Sequence, residues 1–271
     1  MTEVSYCNAG GKPAKHADGY ETERLQYDIF NNLTEWSAHN ADGARVLTSG
    51  KYAGFRLKYD KRFNITERSF FGLGGELTAS DGNYATEKIK YDEYDRKTES
   101  SFYGVNNEPV INSEGYSREC IAYDKWGNAS EFAYYGTDGQ LVMTEYGIAK
   151  LAVEYDEFGN ETAETYYGAD GRPVLSGDGF STLRMEYDPN GNNTKEEYLG
   201  VNNERVMCAD GFSYITVNYD EWDNITEIAF FDTKDRPVMS AYEYARAIFT
   251  YDSQGNELDY CYYDENGNAL E

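Results

Sequence analysis

Along most of the chain, apolar and polar residues alternate over short runs, and each run closes on a Tyr-Asp pair. Counting back from that Tyr, the second position is always apolar: Leu25, Leu57, Ile89, Ile121, Val153, Met185, Val217 and Phe249. The seventh position back is aromatic in Tyr20, Tyr52, Tyr84, Tyr116, Phe180, Phe212 and Tyr244, with Ile148 in the remaining copy. Residues between them, such as Arg56 and Lys58, are often charged. A period of two predicts a half-buried β-strand. The closing residues are Tyr27, Tyr59, Tyr91, Tyr123, Tyr155, Tyr187, Tyr219 and Tyr251, and every gap between them is 32 residues. A register that does not slip over eight copies predicts stacked supersecondary units, none of which buries its apolar face alone.

Each Tyr is followed by four residues that read as a tight turn, as in Asp156-Glu157-Phe158-Gly159. An Asp at the first position can bond the turn's own backbone, and a Gly at the fourth accepts positive φ. Asn31, Asp95 and Asp223 are the next best left-handed residues at that fourth place. Phe63 breaks the rule, and a distorted turn is expected there. A second strand follows and ends in an aromatic pair, as in Phe70-Phe71 or Tyr166-Tyr167. Adjacent strand residues face opposite sides, so the pair requires apolar cover on both faces, which neighbouring repeats are expected to supply.

A further turn, of which Gly168-Ala169-Asp170-Gly171 is typical, has Gly, Asn or Asp fourth in all nine copies from Gly11 to Gly267. A short apolar stop such as Pro173-Val174 and a polar link complete the unit. The expected fold is therefore all-β, a solenoid of stacked β-hairpins, forming one elongated domain over 1–271 with about eight and a half repeats. An eight-bladed β-propeller is the rival, although 32 residues are short for a four-stranded blade.

Stacking turns each offset into a ladder. Asn stands five after the Tyr in seven copies, and in six of them, as in Asn32-Leu33-Thr34, a Thr or Ser two residues on completes an N-glycosylation sequon. The plainer reading is that Asn closes the turn and Thr starts the strand. A ring stands three after the Tyr in Phe30, Tyr94, Trp126, Phe158 and Trp222. A turn tip is normally solvated. These rings either fold over the adjoining hairpin to complete the core, the plainer reading, or form a row of stacking platforms for sugars or other flat ligands. They are the candidate ligand-binding residues.

Composition narrows the chemistry. With 49 acidic and 24 basic residues, the net charge of −25 argues against nucleic-acid partners and favours solubility. No apolar run is long enough for membrane insertion by a helix, and Met1 to Asn8 lack the pattern of a secretion signal. Cys7, Cys120, Cys208 and Cys261 fall at four different places in the repeat, so free thiols are expected rather than disulfides or a metal site. Two histidines, His16 and His39, are too few for a zinc site or a histidine-based triad. Turn oxygens such as those of Asp188, Asn190 and Asn192 are too sparse for a calcium loop. No two carboxylates are singled out as an acid–base pair. Neither an enzyme nor a cofactor is expected.

The alternation of Tyr-Asp, four-residue turn and Gly-Asn resembles the tyrosine-aspartate (YD, RHS-like) repeats of bacterial surface and toxin-delivery proteins. The segment Tyr262-Tyr263-Asp264-Glu265-Asn266-Gly267-Asn268 is similar to glucan- and choline-binding repeats of cell-wall proteins, without their Gly-Trp signature. Both resemblances imply extracellular β-hairpin arrays. The chain starts and stops within the pattern, as expected for a piece of a longer array or for end-to-end self-association. The expected role is a non-catalytic stalk or adhesive module at the cell surface or outside it, with a glycan or protein ligand. The alternative is an intracellular, cytoplasmic scaffold for protein partners, which free thiols favour.

Overall fold

The computed structural model describes residues 1–11 and 14–270. All regular structure among them is β: β1 (Thr2–Ser5), β2 (Thr22–Tyr27), β3 (Leu33–His39), β4 (Gly54–Tyr59), β5 (Ile65–Phe71), β6 (Thr86–Tyr91), β7 (Lys97–Tyr103), β8 (Arg118–Tyr123), β9 (Ala129–Tyr135), β10 (Lys150–Tyr155), β11 (Glu161–Tyr167), β12 (Thr182–Tyr187), β13 (Asn193–Leu199), β14 (Tyr214–Tyr219), β15 (Ile225–Phe231), β16 (Arg246–Tyr251) and β17 (Glu257–Tyr263). The chain forms two compact units, Met1–Ile121 with Ala133–Glu145, and Ala122–Phe132 with Tyr146–Glu271.

In the first unit every strand from β1 to β8 pairs antiparallel with the next. In the second the same holds from β10 to β17. Each hairpin is thus hydrogen-bonded to its neighbour, as at Glu67↔Lys88 between β5 and β6. Propeller blades are separate sheets, so this pairing excludes the rival fold and gives the stacked-hairpin array.

The core is a ladder of rings on one face. In the first unit Tyr52, Phe70, Tyr84, Phe102, Tyr116 and Tyr134 follow one another with centroids 4.6 to 5.8 Å apart. In the second, Tyr166, Phe180, Tyr198, Phe212, Phe230, Tyr244 and Tyr262 do the same at 4.6 to 5.7 Å. The ring seven before each Tyr alternates with the first ring of each aromatic pair, in tilted and edge contacts that aromatic quadrupoles favour, except that Tyr244 and Tyr262 stack.

The second ring of each pair lies on the other face, and there the expectation of apolar cover from neighbouring repeats fails. In five of the six pairs the cover is cationic. Arg56 sits over Phe71, Lys88 over Tyr103, Arg118 over Tyr135, Lys150 over Tyr167 and Arg246 over Tyr263, at 4.2 to 5.7 Å from the ring centroid. The cation comes either from the strand residue directly opposite the ring, as Arg246↔Tyr263, or from two residues further along when the opposite residue is small, as Gly54↔Phe71 with Arg56. At Tyr214↔Phe231 a stacked ring 4.7 Å away takes its place. An aromatic face accepts a cation as readily as a methyl group and leaves the cation's far side to water.

The polar link contains a third turn. Its left-handed residues are Gly19, Lys51, Asn83, Gly115, Gly147, Gly179, Gly211 and Glu243, all at φ between 66° and 95°. Successive third turns bond backbone to backbone: Asp81 N–H to Gly50 C=O and Ser113 N–H to Gly82 C=O, both 3.0 Å, and Ala241 N–H to Asp210 C=O, 2.7 Å. Just after this turn stand Ala53, Ala85, Ala149, Ser181, Ser213 and Ala245, which are almost wholly buried.

Candidate functional site: the first-turn rim

The first turns share one construction. Asp156 Oδ1 accepts from the backbone N–H groups of Phe158 and Asn160, and its Oδ2 accepts from Asn160 Nδ2, all at 2.8 to 2.9 Å. Asp28, Asp188, Asp220 and Asp252 hold the same three bonds in their copies. The Asn side-chain bond leads the causes that hold Asp28, Asp156, Asp220 and Asp252 below the usual carboxylate range. Asn therefore closes the turn, as the plainer reading has it: Asp188 Oδ1 accepts from the turn backbone and its Oδ2 from the Asn192 side chain.

The remaining part of the sequon is also engaged. Register slips by one residue between Lys58 and Tyr59, and at the matching place in other hairpins, which makes the residue two after Asn the extra one of a β-bulge. Its hydroxyl donates across the bulge, Thr34 to Gln26 C=O, Thr66 to Lys58 C=O, Thr194 to Glu186 C=O and Thr226 to Asn218 C=O, at 3.2 to 3.3 Å.

Phe63 occupies the left-handed place at φ 69°, beside Asn31 at 68° and Asp95 at 63°. Its turn keeps the shared bonds, Asp60 N–H to Asn64 C=O at 3.0 Å and Phe63 N–H to Asp60 C=O at 3.2 Å. The distorted turn expected there is absent: the Asp and Asn side chains impose the backbone, and the ring adopts it.

The five tip rings do not fold back. Phe30, Tyr94, Trp126, Phe158 and Trp222 are 65% to 83% exposed, which overturns the core-completing reading. The cause is local: the aspartate clamps the backbone N–H of each of these residues, so the side chain leaves the turn outward. Phe30 and Tyr94 stand on the first unit, and Trp126, Phe158 and Trp222 on the second. Arg96 lies 5.0 Å over Tyr94 and Lys125 4.6 Å over Trp126. Phe30 meets Phe63 edge-on at 5.5 Å, and the two rings flank an open groove of about 660 Å³ floored by Leu57 and Tyr59. Phe63 thus joins the rim; its only signal in the sequence is a ring where the turn asks for Gly. With two strands per repeat at the usual spacing, consecutive tips lie roughly 10 Å apart.

No family model matches the chain, and no curated protein matches it. Among solved structures it is similar to a crystal structure of TcdB2-TccC3 (TM-score 0.47, 13% identity, covering 98% of this chain and 14% of that chain). It is also similar to the Photorhabdus luminescens Tc holotoxin pore with a TccC3 substitution (TM-score 0.45, 12% identity, covering 97% and 13%). The chain spans about a seventh of the length of these proteins. Its resemblance to tyrosine-aspartate repeats rests on the motif and the hairpin repeat, with no family model behind it.

Proposed function

We propose that this hairpin array is a non-catalytic module of a bacterial surface or secreted protein that holds glycan chains against the rings of its first turns. The observation that carries the reading is the exposure of all five tip rings on turns whose backbone bonds are already satisfied. A ring held on a rigid tip loses little conformational freedom when a flat ligand stacks on it. Glu157 and Glu221, exposed beside the rings and outside the aspartate clamp, supply acceptors for hydroxyl groups. A glycan array probed with the parent chain and with the Trp126→Ala, Trp222→Ala double variant tests the reading. Binding by the parent, weakened on the order of tenfold in the variant, is expected. No glycan binding by the parent removes the adhesive role.

Cys7, an exposed free thiol, favours a second reading, an intracellular scaffold for protein partners, because such a thiol suits reducing surroundings. Fractionation of the source cells separates the two: recovery in the cytosol supports the scaffold, and recovery outside the cell supports the glycan module.

A further inference from the structure

One ladder on the cation-bearing face changes sign along the chain. The residue just before each repeat's Tyr reads Gln26, Lys58, Lys90, Ala122, Glu154, Glu186, Asn218 and Thr250, and all eight are exposed. In the first unit, Lys58 pairs across its hairpin with Glu67 at 2.8 Å, and Lys90 with Glu99 at 2.9 Å. The lysines are outermost, with side chains 69% exposed, and the glutamates lie beneath them. In the second unit the order is inverted at one hairpin, and a lone anion stands outermost at another. Glu186 is outermost at 66%, over Lys195 at 3.1 Å, and Glu154 stands exposed opposite Ala163.

A cross-strand pair of opposite charges stabilises its hairpin in either order, so the hairpin gives no reason for the inversion. The difference is visible only from outside, where one unit presents two cations and the other two anions. Each pair of like charges is separated by one repeat, roughly 10 Å, so the two rows match in spacing and are opposite in sign.

We infer that these two rows are self-association surfaces, the Lys58–Lys90 row of one copy meeting the Glu154–Glu186 row of a second copy. The net charge of −25 repels copies at long range, and this row is where the repulsion is reversed locally. The two exposed ion pairs of each such contact make it reversible and strongly dependent on salt. It is independent of the tip rings, so Trp126→Ala with Trp222→Ala leaves it unchanged.

Sedimentation velocity of the full chain in about 20 mM and about 500 mM salt reads the association, since screening at the higher salt confines charge interactions to a few ångströms. Association is expected at low salt and is expected to weaken on the order of tenfold at high salt. Lys58→Glu with Lys90→Glu, and separately Glu154→Lys with Glu186→Lys, are each expected to abolish it. An equimolar mixture of these two charge-swapped chains is expected to associate again, because each now carries four charges of one sign. Lys58→Gln with Lys90→Gln avoids the new Glu–Glu contact inside the hairpin and is expected to weaken association with an unchanged circular dichroism spectrum. A wild-type chain that stays monomeric at both salt levels, or a mixture that stays dissociated while both variants are folded, overturns the inference.

Discussion

The phenolic hydroxyl of Tyr59 donates a 2.7 Å hydrogen bond to the main-chain carbonyl of Leu33, 26 residues earlier in the preceding repeat. Tyr91 to Ile65, Tyr155 to Ala129, Tyr219 to Asn193 and Tyr251 to Ile225 repeat it at 2.8 to 3.0 Å. The two halves of the Tyr-Asp motif thus divide the labour: Asp shapes the turn within a repeat, and Tyr ties that turn to the repeat before it. Burial pushes the pKa of these phenols up, which keeps them protonated as donors. Tyr59→Phe leaves a partly buried carbonyl without its donor and is expected to cost about 1 kcal/mol in urea unfolding. No change in the midpoint would show that water replaces the bond at no cost.

Ser181 and Ser213 carry buried hydroxyls with no hydrogen-bond partner. Ala stands at the same place in four other copies and is equally buried. Ser181→Ala and Ser213→Ala are therefore expected to stabilise the fold by about 1 kcal/mol each, since a buried unpaired polar group costs about 1–3 kcal/mol. Thermal melts of the single and double variants check this, and a lowered melting temperature would contradict it.

Lys51 and Glu243 hold the left-handed place of the third turn at φ 67° and 69°. Most other copies have Gly there. Lys51→Gly and Glu243→Gly are expected to gain about 1 kcal/mol from relieved backbone strain, less the extra freedom Gly gives the unfolded chain. Denaturant titration of each variant decides the sign.

Acid sensitivity follows from the clamped aspartates. Their folded pKa values lie below the ordinary 3.8, and Arg236 pushes Asp232 down to about 2. A lowered folded pKa contributes stability that is fully present above the unfolded value and is lost as pH falls through the folded one. Melting temperature is therefore expected to fall as pH drops below about 4, towards 2. Asp156→Asn with Asp220→Asn is expected to lower stability near pH 7 and to make the acid decline shallower. A decline of undiminished steepness in that variant would place its origin elsewhere.

The strands, both hairpin turns and the ring ladder were legible in the sequence, because period-two alternation and left-handed residues are local signals that the fixed spacing reinforces. The third turn was not, since Lys51 and Glu243 hide its glycine ladder at 32-residue spacing. The cationic cover of Phe71 and Tyr103 leaves no mark in the hydrophobic pattern either. Hydrophobic pattern treats Arg56 and Lys88 as solvated, whereas their stems and charged heads lie on aromatic faces. At the rim the spacing marks the rings, but their exposure depends on where a clamped turn sends its side chains. Only the fold answers that.

At the end of five second strands the ring takes its cation from either of two positions, two residues apart on the facing strand: Gly54 yields to Arg56, and Arg118 stands where Cys120 is neutral. Aligned column by column, both positions look freely variable among the copies. Taken together they hold one cation at either of two addresses. Repeats of this kind can drift apart in sequence while the facing ring keeps the same neighbour.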